Sequence, residues 1–187
     1  MSAQSPTSRS ALGLVELRGE LAGFQLLDIA IKHGGVGSAF GRPVCPGKFL
    51  VFLSGSVATV RSALAAGVAS GVGMQTAPVV LPSVHADVWP ALTGTTDGAD
   101  GDGLAVLETY SASSAVLAAD AVAKAAGVQL LRIRLASGLG GKGVVFLSGL
   151  VADLREAEVV AQRVAGDHLL DSRVLASPHP RVWQFVL

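Results

Sequence analysis

The side chain with the richest chemistry in this sequence is the thiol of Cys45, which opens the segment Cys45-Pro-Gly-Lys48. A thiolate is a nucleophile and a ligand for metals and iron–sulfur clusters. Pro46 and Gly47 predict a turn that projects residue 45 from the end of a strand, a poor place for core packing. A lone cysteine is more often a small buried hydrophobe, and that alternative stays open. Because the chain has one cysteine, it cannot hold a cluster alone or form an intrachain disulfide.

A second candidate segment is Ser137-Gly-Leu-Gly-Gly-Lys-Gly143, which contains the spacing G-x-G-x-x-G. That spacing indicates a dinucleotide site only between a strand and the start of a helix. Lys142 is followed by Gly143 rather than by Ser or Thr, so the segment is not a Walker loop either. The sequence also contains no nucleophile elbow, CxxC or HExxH motif. We therefore predict that the chain is not an enzyme.

An internal duplication fixes where these segments lie. Val51-Phe-Leu-Ser-Gly55 recurs unchanged as Val145-Phe-Leu-Ser-Gly149. Further pairs match in the same order with one small insertion: Glu16 with Glu108, Asp28 with Asp120, Lys32 with Lys124, Lys48 with Lys142, His85 with His179, and Trp89 with Trp183. The alignment sets the glycine-rich segment opposite Cys45-Pro-Gly-Lys48, with Leu139 about where Cys45 stands. It therefore predicts a loop between two strands.

Hydrophobic periodicity gives both copies the same order of elements. In the first copy it predicts helices at 21–32 and 57–69, a short helix in the tail through Trp89, and strands at 12–17, 36–44, 49–53 and 78–81. The order βαββαβ is the ferredoxin-like split-βαβ pattern, so the predicted fold class is α+β with two tandem modules. Gly, Thr and Asp dominate the segment between the copies, which indicates a linker. We predict a disordered lead-in at 1–10, a first module at 11–92, a linker at 93–102 and a second module at 103–187.

The composition argues against two kinds of partner. The formal net charge is zero, whereas a nucleic-acid binder usually has a basic excess. No stretch reaches the ~18–20 apolar residues of a membrane span, and the polar segment 1–10 lacks the apolar core of a secretory signal. Charged residues make up 15% of the chain, against a typical value of about 25%. We therefore expect a cytoplasmic protein whose surface is largely covered by other subunits.

These residues resemble those of bacterial microcompartment shell proteins. The matching pieces are Leu12-Gly-Leu-Val-Glu16, Asp28-x-x-x-Lys32, Phe52-Leu-Ser-Gly55-x-Val57, Leu81-Pro-Ser-Val-His85 and Ser177-Pro-His179. They cover the chain in both copies from about Ala11 to Leu187. The sequence departs from the family in the tail, where Ser83 and Ser177 replace an arginine that contacts neighbouring tiles.

Two copies in one chain resemble the tandem-domain subclass, in which a homotrimer forms a pseudohexameric tile around a central pore. The segment Cys45-Pro-Gly-Lys-Phe-Leu50 further resembles members that carry an iron–sulfur cluster in this pore, held by one cysteine from each chain. The resemblance implies that Cys45 is a metal ligand of a shared [4Fe–4S] cluster. It also implies that the pore is lined by Cys45, Pro46, Gly47, Lys48, Ser137, Gly138, Leu139, Gly140 and Gly141. Lys48 is either a solvated charge or a cation that favours an anionic cluster or solute.

The same resemblance implies partners. Lys32, Lys124, His85 and His179 would contact neighbouring tiles at the tile edge. The expected partners are hexameric tiles, pentameric vertices, and a small metabolite or an electron carrier at the pore. The expected function is a structural shell tile of a bacterial microcompartment whose cluster transfers electrons across the shell. Two alternatives stay open: the same tile with a plain metabolite pore and no cluster, and a regulatory tandem module that binds a small effector.

Overall fold

A computed structural model describes residues 11–99, 101–136 and 138–186. The chain forms two compact units, of which the first ends at Val84 and the second begins at His85. Each unit contains a four-stranded antiparallel sheet and helices. The predicted α+β fold with two ferredoxin-like modules is therefore confirmed. The predicted lead-in at 1–10 and residue 100 of the predicted linker lie outside the described residues.

The first unit follows the predicted order, and each element lies close to its expected place. Its elements are β1 (Ala11–Leu17), α1 (Glu20–Lys32), β2 (Ser38–Val44), β3 (Lys48–Gly55), α2 (Val57–Ala69) and β4 (Val79–Leu81). The strands are arranged in the order β2-β3-β1-β4, and every neighbouring pair is antiparallel. The hydroxyl of Ser56 accepts a hydrogen bond from the backbone N–H of Thr59 and thereby caps the start of α2.

Helices α1 and α2 cover one face of this sheet, and a cluster of buried apolar side chains fills the space between them. Its members include Val15, Leu17, Leu26, Val51, Leu53, Val60 and Leu64. Phe49 lies so close above Gly23 that a Cβ on that glycine would be 2.1 Å from the Phe49 ring. At the matching positions of the second copy, a Cβ on Gly143 would lie 2.3 Å from the Cβ of Ala115. In the first copy a side chain of the strand fills this space, and in the second copy a side chain of the helix fills it.

The second unit repeats this pattern and contains two additional short helices. Its elements are α3 (Val88–Thr93), β5 (Gly103–Thr109), α4 (Ala112–Ala125), β6 (Gln129–Leu135), β7 (Gly143–Gly149), α5 (Val151–Ala165), a 3-10 turn (Gly166–His168), β8 (Leu169–Ala176) and α6 (Pro180–Trp183). The strand order is β6-β7-β5-β8. After α6 the chain returns to the sheet, where Val186 packs with Leu104 and Leu131.

The tail of the first copy belongs to the second unit. By sequence it ends the first repeat, and the predicted first module ran to residue 92. In the structure the backbone N–H of His85 donates to Oδ1 of Asp120 at 2.8 Å. Helix α3 packs against β6 and α4, and its residues Val88 and Ala91 are fully buried. The end of the repeat and the boundary of the compact unit are thus different positions in the chain.

In the described part of the chain, no helix is both long enough and apolar enough to cross a bilayer.

Candidate functional site

The cysteine lies in a tight turn between two central strands. Strand β2 ends at Val44, β3 begins at Lys48, and these two residues face each other in the ladder. Only Cys45, Pro46 and Gly47 connect them, and all three are exposed. Gly47 has a φ of 63°, a conformation that glycine adopts without strain. The thiol therefore projects into solvent from the end of the sheet.

The second copy has a longer loop at the matching place. The backbone N–H of Ala136 donates to the carbonyl of Lys142, which closes a loop from residue 137 to residue 141. Gly138 and Gly140 are exposed, Gly141 is buried, and Ser137 lies outside the described residues. Since this bond matches the Val44 and Lys48 pair, Leu139 stands in the middle of the longer loop rather than at the position of Cys45. A strand follows the loop, so the helix that a dinucleotide site requires is not present there.

An ion pair lies at the base of each loop. Nζ of Lys48 is 2.9 Å from Oε2 of Glu16, whose side chain is fully buried. In the second copy Nζ of Lys142 is 3.2 Å from Oε1 of Glu108, and both side chains are partly exposed. Lys48 is therefore bonded to a carboxylate rather than solvated alone. These pairs were not predicted from the sequence, although the recurrence of both partners in both copies was a signal for them.

An arginine joins each pair on the same face of the sheet. In the first unit Arg42 faces Leu50 on β3, and Leu50 faces Glu16 on β1. Residues paired across strands share a face, and so do alternate residues of one strand, which places Lys48 on this face as well. Burial lowers the pKa of Arg42, and within the described residues its buried Nε has no hydrogen-bond partner. The base of the first loop therefore carries two cations, Arg42 and Lys48, and one carboxylate, Glu16.

The second unit keeps this row of charges. Arg134 faces Val144, and Val144 faces Glu108. The guanidinium of Arg134 lies 4.8 Å from the centre of the Phe146 ring, in a cation–π contact. Burial, and secondly the charge of Arg132, lower the pKa of Arg134. The ordinary pKa of arginine lies far above neutral pH, so both arginines remain protonated at neutral pH in spite of this lowering.

The four residues expected at tile edges lie outside the two loops. On α1, Lys32 pairs with Asp28 at 2.7 Å, and both side chains are exposed. On α4, Lys124 pairs with Asp120 at 2.5 Å, but here the aspartate is buried. The Nδ1 atoms of His85 and His179 accept hydrogen bonds from the backbone N–H groups two residues later, at 3.3 and 3.2 Å. Each histidine thus shapes the turn before a short helix, a role that the sequence did not reveal.

Metal binding within a single chain finds little support. Among the described residues, no three His, Cys, Asp or Glu side chains lie close enough together to hold an ion. The chain supplies one exposed thiol, and a cluster would need further thiolates from other copies. One chain could therefore supply a single thiolate, that of Cys45, to a shared cluster.

Comparison with known proteins places both copies in one family. The model of the BMC domain matches residues 11–84 and again residues 103–178. Over 176 residues the chain is 34% identical to the bacterial microcompartment shell protein PduT of Citrobacter freundii, covering 93% of this chain and 96% of that protein.

Solved structures agree with this assignment. A microcompartment protein from Desulfitobacterium hafniense superposes with a TM-score of 0.85 at 33% identity, over 94% of this chain and 99% of that one. A fused, permuted hexameric shell protein from the RMM microcompartment has a TM-score of 0.60 at 24% identity, covering 87% of this chain and 86% of that one, and shows the fold alone. The chain therefore belongs to the BMC-domain family of bacterial microcompartment shell proteins.

Proposed function

We propose that three copies of this chain form a shell tile in which three Cys45 thiolates hold a [4Fe–4S] cluster. The observation that carries the proposal is the exposed thiol at the tip of a three-residue turn. A cluster requires several thiolates, whereas each chain supplies one. A threefold axis through the turn would bring three together with no further cysteine in the sequence.

The difference between the two loops supports this number of ligands. A ring of three chains contains six modules, but only the first-copy turns carry a cysteine. The longer second-copy loop, with Gly138, Leu139, Gly140 and Gly141, would line the same pore with backbone and one apolar side chain. Three thiolates leave one iron of a cubane open to water or another ligand. The two loops would thus have separate roles in one pore.

The charges beneath the loops suit an anionic occupant. In each unit the row contains two cations and one carboxylate: Arg42, Lys48 and Glu16 in the first, and Arg134, Lys142 and Glu108 in the second. The excess positive charge favours a thiolate-ligated cluster, or an anionic solute, near the loops. A bound cluster would supply one-electron transfer across the shell, with Cys45 as its ligand and Arg42 and Lys48 as electrostatic support.

The relatives support the setting of this tile. Because PduT is a microcompartment shell protein, we place this chain in a cytoplasmic microcompartment, in contact with hexameric tiles and pentameric vertices. In this setting the chain has a structural and electron-transfer role rather than an enzymatic one. Its other partner would be an electron carrier at the pore.

Anaerobic reconstitution tests the proposal. We expect about four iron and four sulfide ions per trimer, with the paramagnetic spectrum of a reduced cluster. The variant Cys45→Ser should lose both the iron and the spectrum. A matched control, Cys45→Ser with Val68→Cys, keeps one exposed thiol per chain on α2, and it should bind no cluster. Equal iron in the wild type and in Cys45→Ser would contradict the proposal.

Oligomeric mass separates the alternatives. A trimer has three times the 18.9 kDa of one chain. A wild-type trimer that binds no iron would indicate a tile with a plain metabolite pore, in which Cys45 is incidental. A monomer would instead indicate a regulatory module that binds an effector.

A further inference from the structure

We infer that the tail of the second copy, residues 177–186, docks on helix α1 and strand β2 of the next chain. We name the surface formed by α1 and β2 the acceptor face. The inference rests on the proposed trimer and names the contact that would close it. It follows from the repeat. The tail of the first copy is docked on the second unit, whereas the tail of the second copy and the matching face of the first copy lack this contact.

The docked tail is residues 85–93. Its first backbone N–H, that of His85, donates to the buried carboxylate of Asp120 on α4. Helix α3 then packs against β6, where a Cβ on Gly94 would lie 3.3 Å from the guanidinium of Arg132. Ala91 in the middle of this tail is 0% exposed. The tail thus satisfies a carboxylate and covers apolar surface at the same time.

The acceptor face is the match of the surface that this tail covers. Asp28 corresponds to Asp120, but it is exposed rather than buried. One turn earlier, Phe24 is 62% exposed, whereas its counterpart Val116 is 0% exposed. On β2, the side chain of Phe40 is also exposed, and this position matches Arg132 on β6. The same face is therefore buried in one copy and open to solvent in the other.

The second tail has the features of the docked one. The ring of His179 caps the backbone two residues on, as the ring of His85 does. Val186 anchors this tail on its own sheet. Phe185, which corresponds to the fully buried Ala91, is 74% exposed. A large aromatic side chain at that position lacks the cover that its counterpart has.

A second copy of the chain fits both surfaces at once. We assign the backbone N–H of His179 as the donor to Asp28 of the next chain, and Phe185 as the side chain that packs near Phe24 and Phe40. The donor and acceptor surfaces are different parts of one chain, so the contact is head to tail, and such contacts close into rings when the rotation permits. In a ring of three, every second tail would cover one acceptor face.

Two single variants and their mixture test this arrangement. Phe24→Glu damages the acceptor face, and Phe185→Glu damages the tail. We expect each variant alone to be monomeric by light scattering, with its circular dichroism retained. Mixed together, the two variants still combine one intact tail with one intact face, so the mixture should form a one-to-one dimer. Val68→Glu is the control. Val68 is exposed, and the matching position of the second copy holds the polar Gln162, so this variant should remain a trimer.

Cross-linking gives a second measurement that does not depend on weakened assembly. In a Cys45→Ser background, Asp28→Cys with His179→Cys should give covalent dimers and trimers with a short thiol cross-linker. His85→Cys with Asp120→Cys, taken from the docked tail, should cross-link within one chain. Asp28→Cys with His168→Cys, an exposed residue away from the tail, should give neither product.

The outcomes separate this inference from the proposed function. Monomeric variants, a mixed dimer and the cross-linked ladder support the inference. Variants that remain trimeric, or a ladder as strong from the His168 control, overturn it and leave the tile in place. A monomeric wild type overturns the tile and this inference together.

Discussion

The backbone N–H of His85 and Oδ1 of Asp120 lie 2.8 Å apart, and the other oxygen of the same carboxylate bonds Lys124. Asp120 is buried, so water cannot replace either partner easily. The contact attaches the tail of the first copy to a helix of the second.

Asp120→Ala should lower the free energy of unfolding by about 1–3 kcal/mol, because it leaves the His85 N–H without an acceptor. The control Lys32→Ala removes the matching i,i+4 pair of the first copy, in which both side chains are exposed, and should cost about 0.5 kcal/mol or less. Urea unfolding at a fixed protein concentration measures both. Equal costs would show that the tail contact contributes nothing.

Lys48→Met should destabilise the protein by about 3 kcal/mol, because it takes the ammonium away from the fully buried carboxylate of Glu16. Lys142→Met makes the same change in the second copy, where Glu108 is partly exposed, and should cost less than about 1 kcal/mol. Thermal and urea unfolding provide the measurement. A larger loss for Lys142→Met would contradict the role assigned to burial.

Gly23→Ala should destabilise the protein, although alanine favours helices by about 1 kcal/mol over glycine. The added methyl would lie 2.1 Å from the ring of Phe49, and overpacking of this kind costs about 1–3 kcal/mol. Gly73→Ala is the control, since its new methyl would lie 3.9 Å from the nearest atom, the Cβ of Arg18. The unfolding midpoints of the two variants should differ, and a stabilised Gly23→Ala would rule out the tight contact.

Cys45 should react with a thiol reagent in the native protein, at about one thiol per chain, because it is exposed in the turn. After anaerobic reconstitution the same reagent should find this thiol protected. The thiol of Cys45→Ser with Val68→Cys should stay reactive under both conditions. A native Cys45 that reacts only after unfolding would instead show a buried side chain.

The duplication made the fold predictable from sequence. Two copies of one pattern had to fit the same elements, so the sequence placed α2 at its observed bounds and the other first-copy elements nearby. The position of Cys45 in a turn followed from Pro46 and Gly47, whose conformational preferences are local.

Contacts between distant residues were harder to predict. The bond from Lys48 to Glu16 depends on the register of β3 against β1, which periodicity alone does not give. The shift of His85 into the second unit depends on a buried carboxylate far along the chain, at Asp120. The place of Leu139 was wrong in detail because sequence alignment does not show which loop residue closes the hydrogen-bonded pair.

The opposite packing of Phe49 on Gly23 and of Ala115 on Gly143 has a consequence for inheritance. Repeated genes exchange segments by recombination, and an exchange between these two positions would create hybrid modules. One hybrid would set phenylalanine above alanine, and the other would set glycine against glycine. The first would clash and the second would contain a void, so both would fold less well than either parent. Phe49 is therefore compatible with glycine at position 23, and Gly143 with the methyl group of Ala115, but neither residue is compatible with the partner from the other copy.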